Sequence, residues 1–262
     1  MSVERNTGIK AANGKFLLFV DSDDLLADFN VIKNLAEFLQ RTNAVITYCP
    51  FTVRFRDVVP VVKDETGVEI YGNYRVLTPN ELLSYTKKHH TFSTAWSFVV
   101  SRQYICKNQL YFRKGIVQED TEWIPRVLCA VEEQKVHIFT KPFYLYRVNP
   151  CSITSSFTQY RFDSFCLLLS ELSERIAVSP KVARLFFKKW FNRYLFFMCM
   201  LFDNDCLKAS DFFKKNIRTV KQLFKDNYKL LSLRNRILFM FLQVNPKLFF
   251  LLRRLVKRVI GC

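Results

Sequence analysis

Three carboxylates stand close enough in this sequence to do chemistry. In "FLLFVDSDDLL" (residues 16–26) five apolar residues run into Asp21, Ser22, Asp23 and Asp24. The negative side chains repel one another, and the loop leaving a buried strand is where α/β folds hold their ligands. A divalent cation relieves that repulsion, and oxygen ligands with room for phosphate oxygens favour Mg²⁺ or Mn²⁺. The plainer alternative is that Asp-Ser-Asp-Asp caps the helix that follows. A second acidic pair, Glu119-Asp120 in "QEDTEW", suits the first turn of a helix, where the dipole favours negative charge. His89, His90 and His137 have no metal-ligand partner at useful spacing. The eight cysteines (49, 106, 129, 151, 166, 199, 206 and 262) form no CxxC pair, so they read as reduced packing residues.

The elements that must hold these residues alternate between strand and helix. "RNTGIKAANGK" reads as a short helix ended by Gly14 as a left-handed cap. "FLLFV" is a strand of the kind buried on both faces of an α/β sheet. "FNVIKNLAEFLQRTN" places Val31, Ile32, Leu35, Phe38 and Leu39 on one face of an amphipathic helix. "AVITY" is a second buried strand, while "FTVRFRDVVPVV" and "TGVEIYGNYRVL" read as hairpin-like extensions. "PNELLSYTKK" is a short helix, "AWSFVVSR" a strand, and "QEDTEWIPRVLCAVEE" a helix in which Pro125 implies an early turn. "KVHIF" and "PFYLYRV" close the region as strands. The alternation argues an α/β sandwich.

From about Gln159 the pattern becomes helix after helix, rich in Phe, Leu, Lys and Arg, after a polar break at "NPCSITSS". The expected domains are therefore 1–155 and 156–262. Of the formal charge of +17, residues 1–150 carry +3 and residues 151–262 carry +14. The aromatic and basic stretches "ARLFFKKWFNRYLFFMCMLFD" and "RNRILFMFLQVNPKLFFLLRRLVKRVIGC" suit helices lying in an anionic membrane interface. A helical bundle with its Phe residues inward and a solvated basic face is the alternative. The charge would also suit nucleic acid, but no nucleic-acid motif accompanies it, and none is expected as a partner. The longest uncharged apolar runs fall short of the ~20 residues that span a bilayer, and "MSVERNTGIK" holds no apolar secretory segment.

Three stretches, in order, resemble the family 2 glycosyltransferases: "RNTGIKAANGKFLLFVDSDD", "WSFVVSRQYICKNQLYFRKGIVQEDTEW" and "KPFYLYRVNPCSIT". The first matches an Arg-Asn helix, a Gly turn, an apolar strand and a DxD-type motif. The second matches a central Trp and an acidic "ED", and the third a "Y-Y-R…S-I-T" segment. The resemblance covers residues 3–155. It implies a GT-A (Rossmann-like) mixed-sheet domain, incomplete at its N-terminus, followed by an α-helical C-terminal region.

The activity it implies is transfer of a sugar from a nucleotide-sugar donor to a hydroxyl acceptor with inversion, in cell-surface polysaccharide synthesis. Asp21 would lie near the nucleotide with Arg5 and Asn6, and Asp23 with Asp24 would hold Mg²⁺ or Mn²⁺ against the departing diphosphate. Asp120 would be the general base, with Glu119 orienting the acceptor. Trp96 and Arg147 would contact that acceptor, a saccharide or lipid-linked hydroxyl, although Trp96 on its own reads as core. Family members usually begin with a strand like "SVIIPVYN". This chain enters the pattern further on, so roughly two βαβ units of the nucleotide-binding half are expected to be missing. The expected location is the cytoplasm, peripheral on the inner membrane face. The other class kept open is a non-catalytic remnant that binds membrane or acceptor.

Overall fold

A computed structural model describes residues 1–56, 76–77, 94–130, 136–141, 143–148 and 158–175, with scattered residues between 211 and 240. The chain divides into two compact units, Met1–Ser156 and Phe157–Cys262.

The first unit opens with α1 (Ser2–Ala11), β1 (Phe16–Leu18) and β2 (Leu25–Leu26), then α2 (Val31–Thr42), β3 (Ile46–Tyr48), β4 (Thr52–Phe55) and β5 (Val76–Leu77). A 3₁₀ turn at Ala95–Ser97 leads into β6 (Phe98–Ser101), followed by α3 (Arg102–Lys107), α4 (Glu119–Cys129), β7 (Val136–Ile138) and β8 (Tyr144–Arg147). Five strands form a mixed sheet in the order β1-β6-β3-β7-β5, in which β3 and β7 are parallel and the other pairs antiparallel. A smaller sheet has the order β2-β8-β4, with β4 and β8 parallel.

Helix α2 covers the core with Val31, Leu35, Phe38 and Leu39, packed with Trp96, Val99, Phe139, Phe143 and Tyr144. Ile32, expected on the same face, is 46% exposed, because it lies at the edge of the apolar stripe rather than within it. The positive φ at the end of α2 belongs to Asn43 (φ 47°), a residue whose short polar side chain tolerates the left-handed region.

Three local expectations are revised. Helix α1 stops at Ala11 with an extended Ala12, so Gly14 is not its left-handed cap; among the described glycines only Gly115 has positive φ, at 74°. The apolar run "FLLFV" forms a strand of only three residues with its ends half-buried, and Val20 is exposed. Pro125 lies inside α4 without ending it. The buried Trp123, Ile124, Val127 and Leu128 beside it supply packing that outweighs one missing backbone donor. Beyond these, the described residues of β4 pair in parallel with the distant β8, Thr52 opposite Tyr144 through Phe55 opposite Arg147. The rest of the expected hairpin, apart from Val76–Leu77, and the helix "PNELLSYTKK" lie outside the described residues.

The second unit begins with α5 (Gln159–Arg175), which buries Arg161, Phe162, Ser164 and Leu168. Its first residue exchanges side-chain amide hydrogen bonds with Asn216, at 3.1 and 3.2 Å. The first aromatic-basic stretch, 183–203, lies outside the described residues, and so does nearly all of the second. Among the described residues no helix is long and apolar enough to cross a membrane.

Candidate active site

Helix α1 turns polar residues inward. Ser2, Arg5, Asn6 and Ile9 fall at i, i+3, i+4 and i+7 and are all buried, and a buried guanidinium must be paired to be tolerated. Its partners come from both ends of the first unit. Arg5 Nη2 donates to Asp21 Oδ1 at 2.7 Å, and Nη1 donates to Glu119 Oε1 at 3.2 Å. Nη1 also pairs with Asp120 Oδ1. Three carboxylates thus surround one cation.

Asn6 fixes the other side of the helix. Its amide donates to the Phe112 carbonyl and its oxygen accepts from the Phe112 N–H, each at 2.7 Å. Phe112 stacks on Trp123 with ring centroids 4.5 Å apart, and the Trp123 indole donates to the Leu110 carbonyl at 2.6 Å. The segment leading to α4 is thereby anchored to α1. Glu119 and Asp120 occupy the first turn of α4, and Gln118 just before them holds φ 63° without being glycine. Asp120 Oδ2 accepts from the Ala95 N–H at 3.0 Å. Each carboxylate oxygen keeps a second lone pair for another donor.

The turn after β1 is gripped by β8. The Asp21 N–H donates to the Tyr144 hydroxyl at 2.9 Å, and the Arg147 N–H donates to Asp24 Oδ1 at 2.8 Å. Asp24 is buried, and its Oδ2 makes no hydrogen bond. Burial raises the Asp24 pKa, with the Asp23 and Asp21 charges adding to the rise; the Arg147 N–H and the nearby Tyr144 hydroxyl oppose it. Burial likewise pushes the Tyr144 phenol well above its ordinary range. Asp23 alone of the three faces solvent. The capping alternative for Asp-Ser-Asp-Asp fails, because β2 intervenes and α2 starts at Val31 behind Asn30.

The remaining expected residues lie close by. Trp96 is buried at 6% exposure and stacks on Tyr144 with centroids 4.2 Å apart at 4°. The exposed Arg147 lies over the Phe55 ring at 5.2 Å. The structure therefore gathers Arg5, Asp21, Glu119 and Asp120 into one network and sets Asp24, Trp96 and Tyr144 beside it. The sequence reading placed Tyr144 in the Y-Y-R match without a role, and it assigned none to Gln118 or the Ala95 amide. Two tyrosines at alternate positions of "YLYR" were the only written sign that one face of β8 serves the turn.

Among the described residues no three His, Cys, Asp or Glu side chains converge as a metal cage. Mg²⁺ and Mn²⁺ sites commonly use one or two carboxylates and complete their shell with phosphate oxygens. An exposed Asp23 beside a buried, unbonded Asp24 oxygen fits that kind of ligand set.

Comparison with known proteins agrees with this architecture. The family model for Glycosyl transferase family 2 matches residues 1–110. The uncharacterized glycosyltransferase EpsJ of Bacillus subtilis (strain 168) is 30% identical over 159 residues, covering 59% of this chain and 44% of its own length. Crystal structures of S. aureus TarS 1–349 share the fold. The complex with UDP-GlcNAc has a TM-score of 0.56 at 15% identity, covering 90% of this chain and 63% of that one. The complex with UDP has a TM-score of 0.50 at 18% identity, covering 74% and 51%. The chain thus spans less than two thirds of the length of these relatives. Over residues 1–110 the chain is similar to glycosyl transferase family 2, and it shares its fold with TarS.

Proposed function

We propose that this protein transfers a sugar from a nucleotide-sugar donor to a hydroxyl acceptor with inversion, in the synthesis of cell-surface polysaccharide. The observation that carries the reading is the network in which Arg5 holds Asp21, at the end of β1, beside Glu119 and Asp120, at the head of α4. In this reading the carboxylate on one terminal guanidinium nitrogen serves the donor side and the two on the other serve the acceptor side. UDP and UDP-GlcNAc bound to the structurally similar TarS support a nucleotide-sugar donor.

In this reading Asp120 takes the proton from the acceptor hydroxyl, and Glu119 orients that hydroxyl. Asp23, with Asp24 behind it, would hold Mg²⁺ or Mn²⁺, which would supply neutralisation of the departing diphosphate. Asp21 lies near the nucleotide. Arg5 and Asn6 act by holding the carboxylates and the 112 segment in place. Arg147 and Trp96 would border the acceptor side. A base on one face and a leaving group on the other suit single displacement through an oxocarbenium-like transition state. The excess of +14 in residues 151–262 supports peripheral attachment to anionic membrane, where a lipid-linked acceptor would be met.

The test is release of UDP from UDP-GlcNAc by the full chain, with Mn²⁺ or Mg²⁺ and a panel of saccharide and lipid-linked acceptors. Metal-dependent release that an acceptor accelerates supports the reading. Vesicle binding with neither nucleotide binding nor release would favour a non-catalytic binding protein instead.

A further inference from the structure

A closed circuit of contacts runs round the site. Arg5 joins Asp120 to Asp21, and the Asp21 N–H reaches the Tyr144 hydroxyl at 2.9 Å. The Tyr144 ring stacks on Trp96 at 4.2 Å, and Ala95, the residue before Trp96, donates its N–H to Asp120 at 3.0 Å. Tyr144 is 0% exposed. A phenylalanine would fill the same core space, so the hydroxyl needs its own explanation. It satisfies a backbone N–H that the turn would otherwise leave without a partner. That turn also closes on itself through the Asp24 N–H and the Asp21 carbonyl, at 3.1 Å, and is held at its far end by the Arg147 N–H on Asp24. Strand β8 therefore pins both ends of the segment whose middle residue, Asp23, faces outward.

From this geometry we infer that Tyr144 is a positioning residue. Its hydroxyl fixes the turn that presents Asp23, and its stack on Trp96 ties that turn to the peptide holding Asp120. The consequences for turnover rest on the glycosyltransferase reading; the positioning itself does not. Loss of the hydroxyl frees one end of the 21–24 turn and leaves the aromatic core in place. The donor side should then loosen while the acceptor side keeps its Arg5 and Ala95 contacts.

The test has two arms on the full chain. Amide hydrogen exchange should show Asp21 protected in the wild type. In Tyr144→Phe it should exchange about tenfold faster, the equivalent of one lost hydrogen bond, while the β6 amides stay unchanged. Unchanged exchange at Asp21 in the variant overturns the proposal. So does a wild-type Asp21 amide that exchanges at the rate of an unstructured peptide, a result that needs no variant. In the second arm, UDP-GlcNAc turnover with Mn²⁺ should show KM for both raised about tenfold in Tyr144→Phe with kcat nearly kept. A fall in kcat at constant KM, as from partial unfolding, also overturns the proposal. A wild type that neither binds UDP nor turns over UDP-GlcNAc defeats the function reading alone, and the exchange arm still decides the role of Tyr144.

Discussion

Arg5 and Asp21, sixteen residues apart, meet at 2.7 Å, with the arginine side chain 8% exposed and the aspartate 21%. The same guanidinium serves Glu119 and Asp120, so the pair is the hub of the site rather than a surface ornament. Arg5→Met removes the cation and leaves buried carboxylates facing one another. Breaking such a buried pair costs about 3–5 kcal/mol, and urea unfolding should show a loss of that order. Arg5→Lys should recover only part of it, because an ammonium lacks the fork that spans the partners.

Asp120 and Asp23 should separate in kinetics. Asp120→Asn is expected to lower transfer by about 10²–10⁴-fold, the usual range for a positioned base, with UDP-GlcNAc binding close to wild type. Asp23→Ala should instead raise the metal concentration needed for half-maximal donor binding. Calorimetry with UDP-GlcNAc and Mn²⁺, alongside steady-state transfer, distinguishes the two. Unimpaired transfer in Asp120→Asn would remove it as the base.

Asp24 sets a pH dependence. Its folded pKa is raised above the ordinary 3.8, chiefly by burial. The folded protein is then the better proton binder, so this group's contribution to stability falls as pH rises from 3.8 through the raised folded value. Asp24→Asn keeps an acceptor for the Arg147 N–H and removes the ionisation. In denaturant unfolding measured from pH 4 to 7, the variant should lack this downward contribution and be at least as stable as wild type at pH 7.

Gln118 carries strain next to Glu119 and Asp120, with φ 63°. A left-handed conformation costs a non-glycine residue about 1–2 kcal/mol, partly balanced in glycine by its greater freedom when unfolded. Gln118→Gly should therefore be neutral or mildly stabilising, while Gln118→Val, β-branched, should destabilise. Thermal unfolding of the two variants checks the order.

The basic C-terminal stretch gives a salt-dependent prediction. Lys247, Arg253, Arg254, Lys257 and Arg258 each contribute on the order of 1 kcal/mol near an anionic surface. Removing residues 246–262 should weaken binding to phosphatidylserine vesicles, and high salt should release part of what remains. An intact chain that ignores such vesicles at low salt ends the membrane reading.

Most strands and their order of appearance were legible because apolar runs such as "AVITY" and "SFVV" are short and sharply bounded, whereas the two-residue β2 was not. The DSDD turn and the Glu119-Asp120 pair were legible because charge at the end of an apolar run is hard to place otherwise. Pairing was not legible. Nothing local in "FTVRF" says that it joins β8 in parallel, since that partner arrives some ninety residues later. Gly14 misled because glycine marks a turn without saying which kind. The roles of Arg5 and Tyr144 were hidden for a deeper reason. Each acts through atoms far away in sequence, and a lone Arg or Tyr carries no mark of who its partner will be.

The Asn6–Phe112 clasp closes a separation of 106 residues, and β8 closes the turn at Asp21 from farther still. A ten-residue helix such as α1 is marginal by itself in water, and contacts so distant must first meet the entropy of closing a long loop. During synthesis, then, the Arg5 end of the site emerges from the ribosome early and waits. It can close its contacts with β8 only after residue 147 has left the exit tunnel, so a shorter nascent chain holds the Asp21 turn without its anchor.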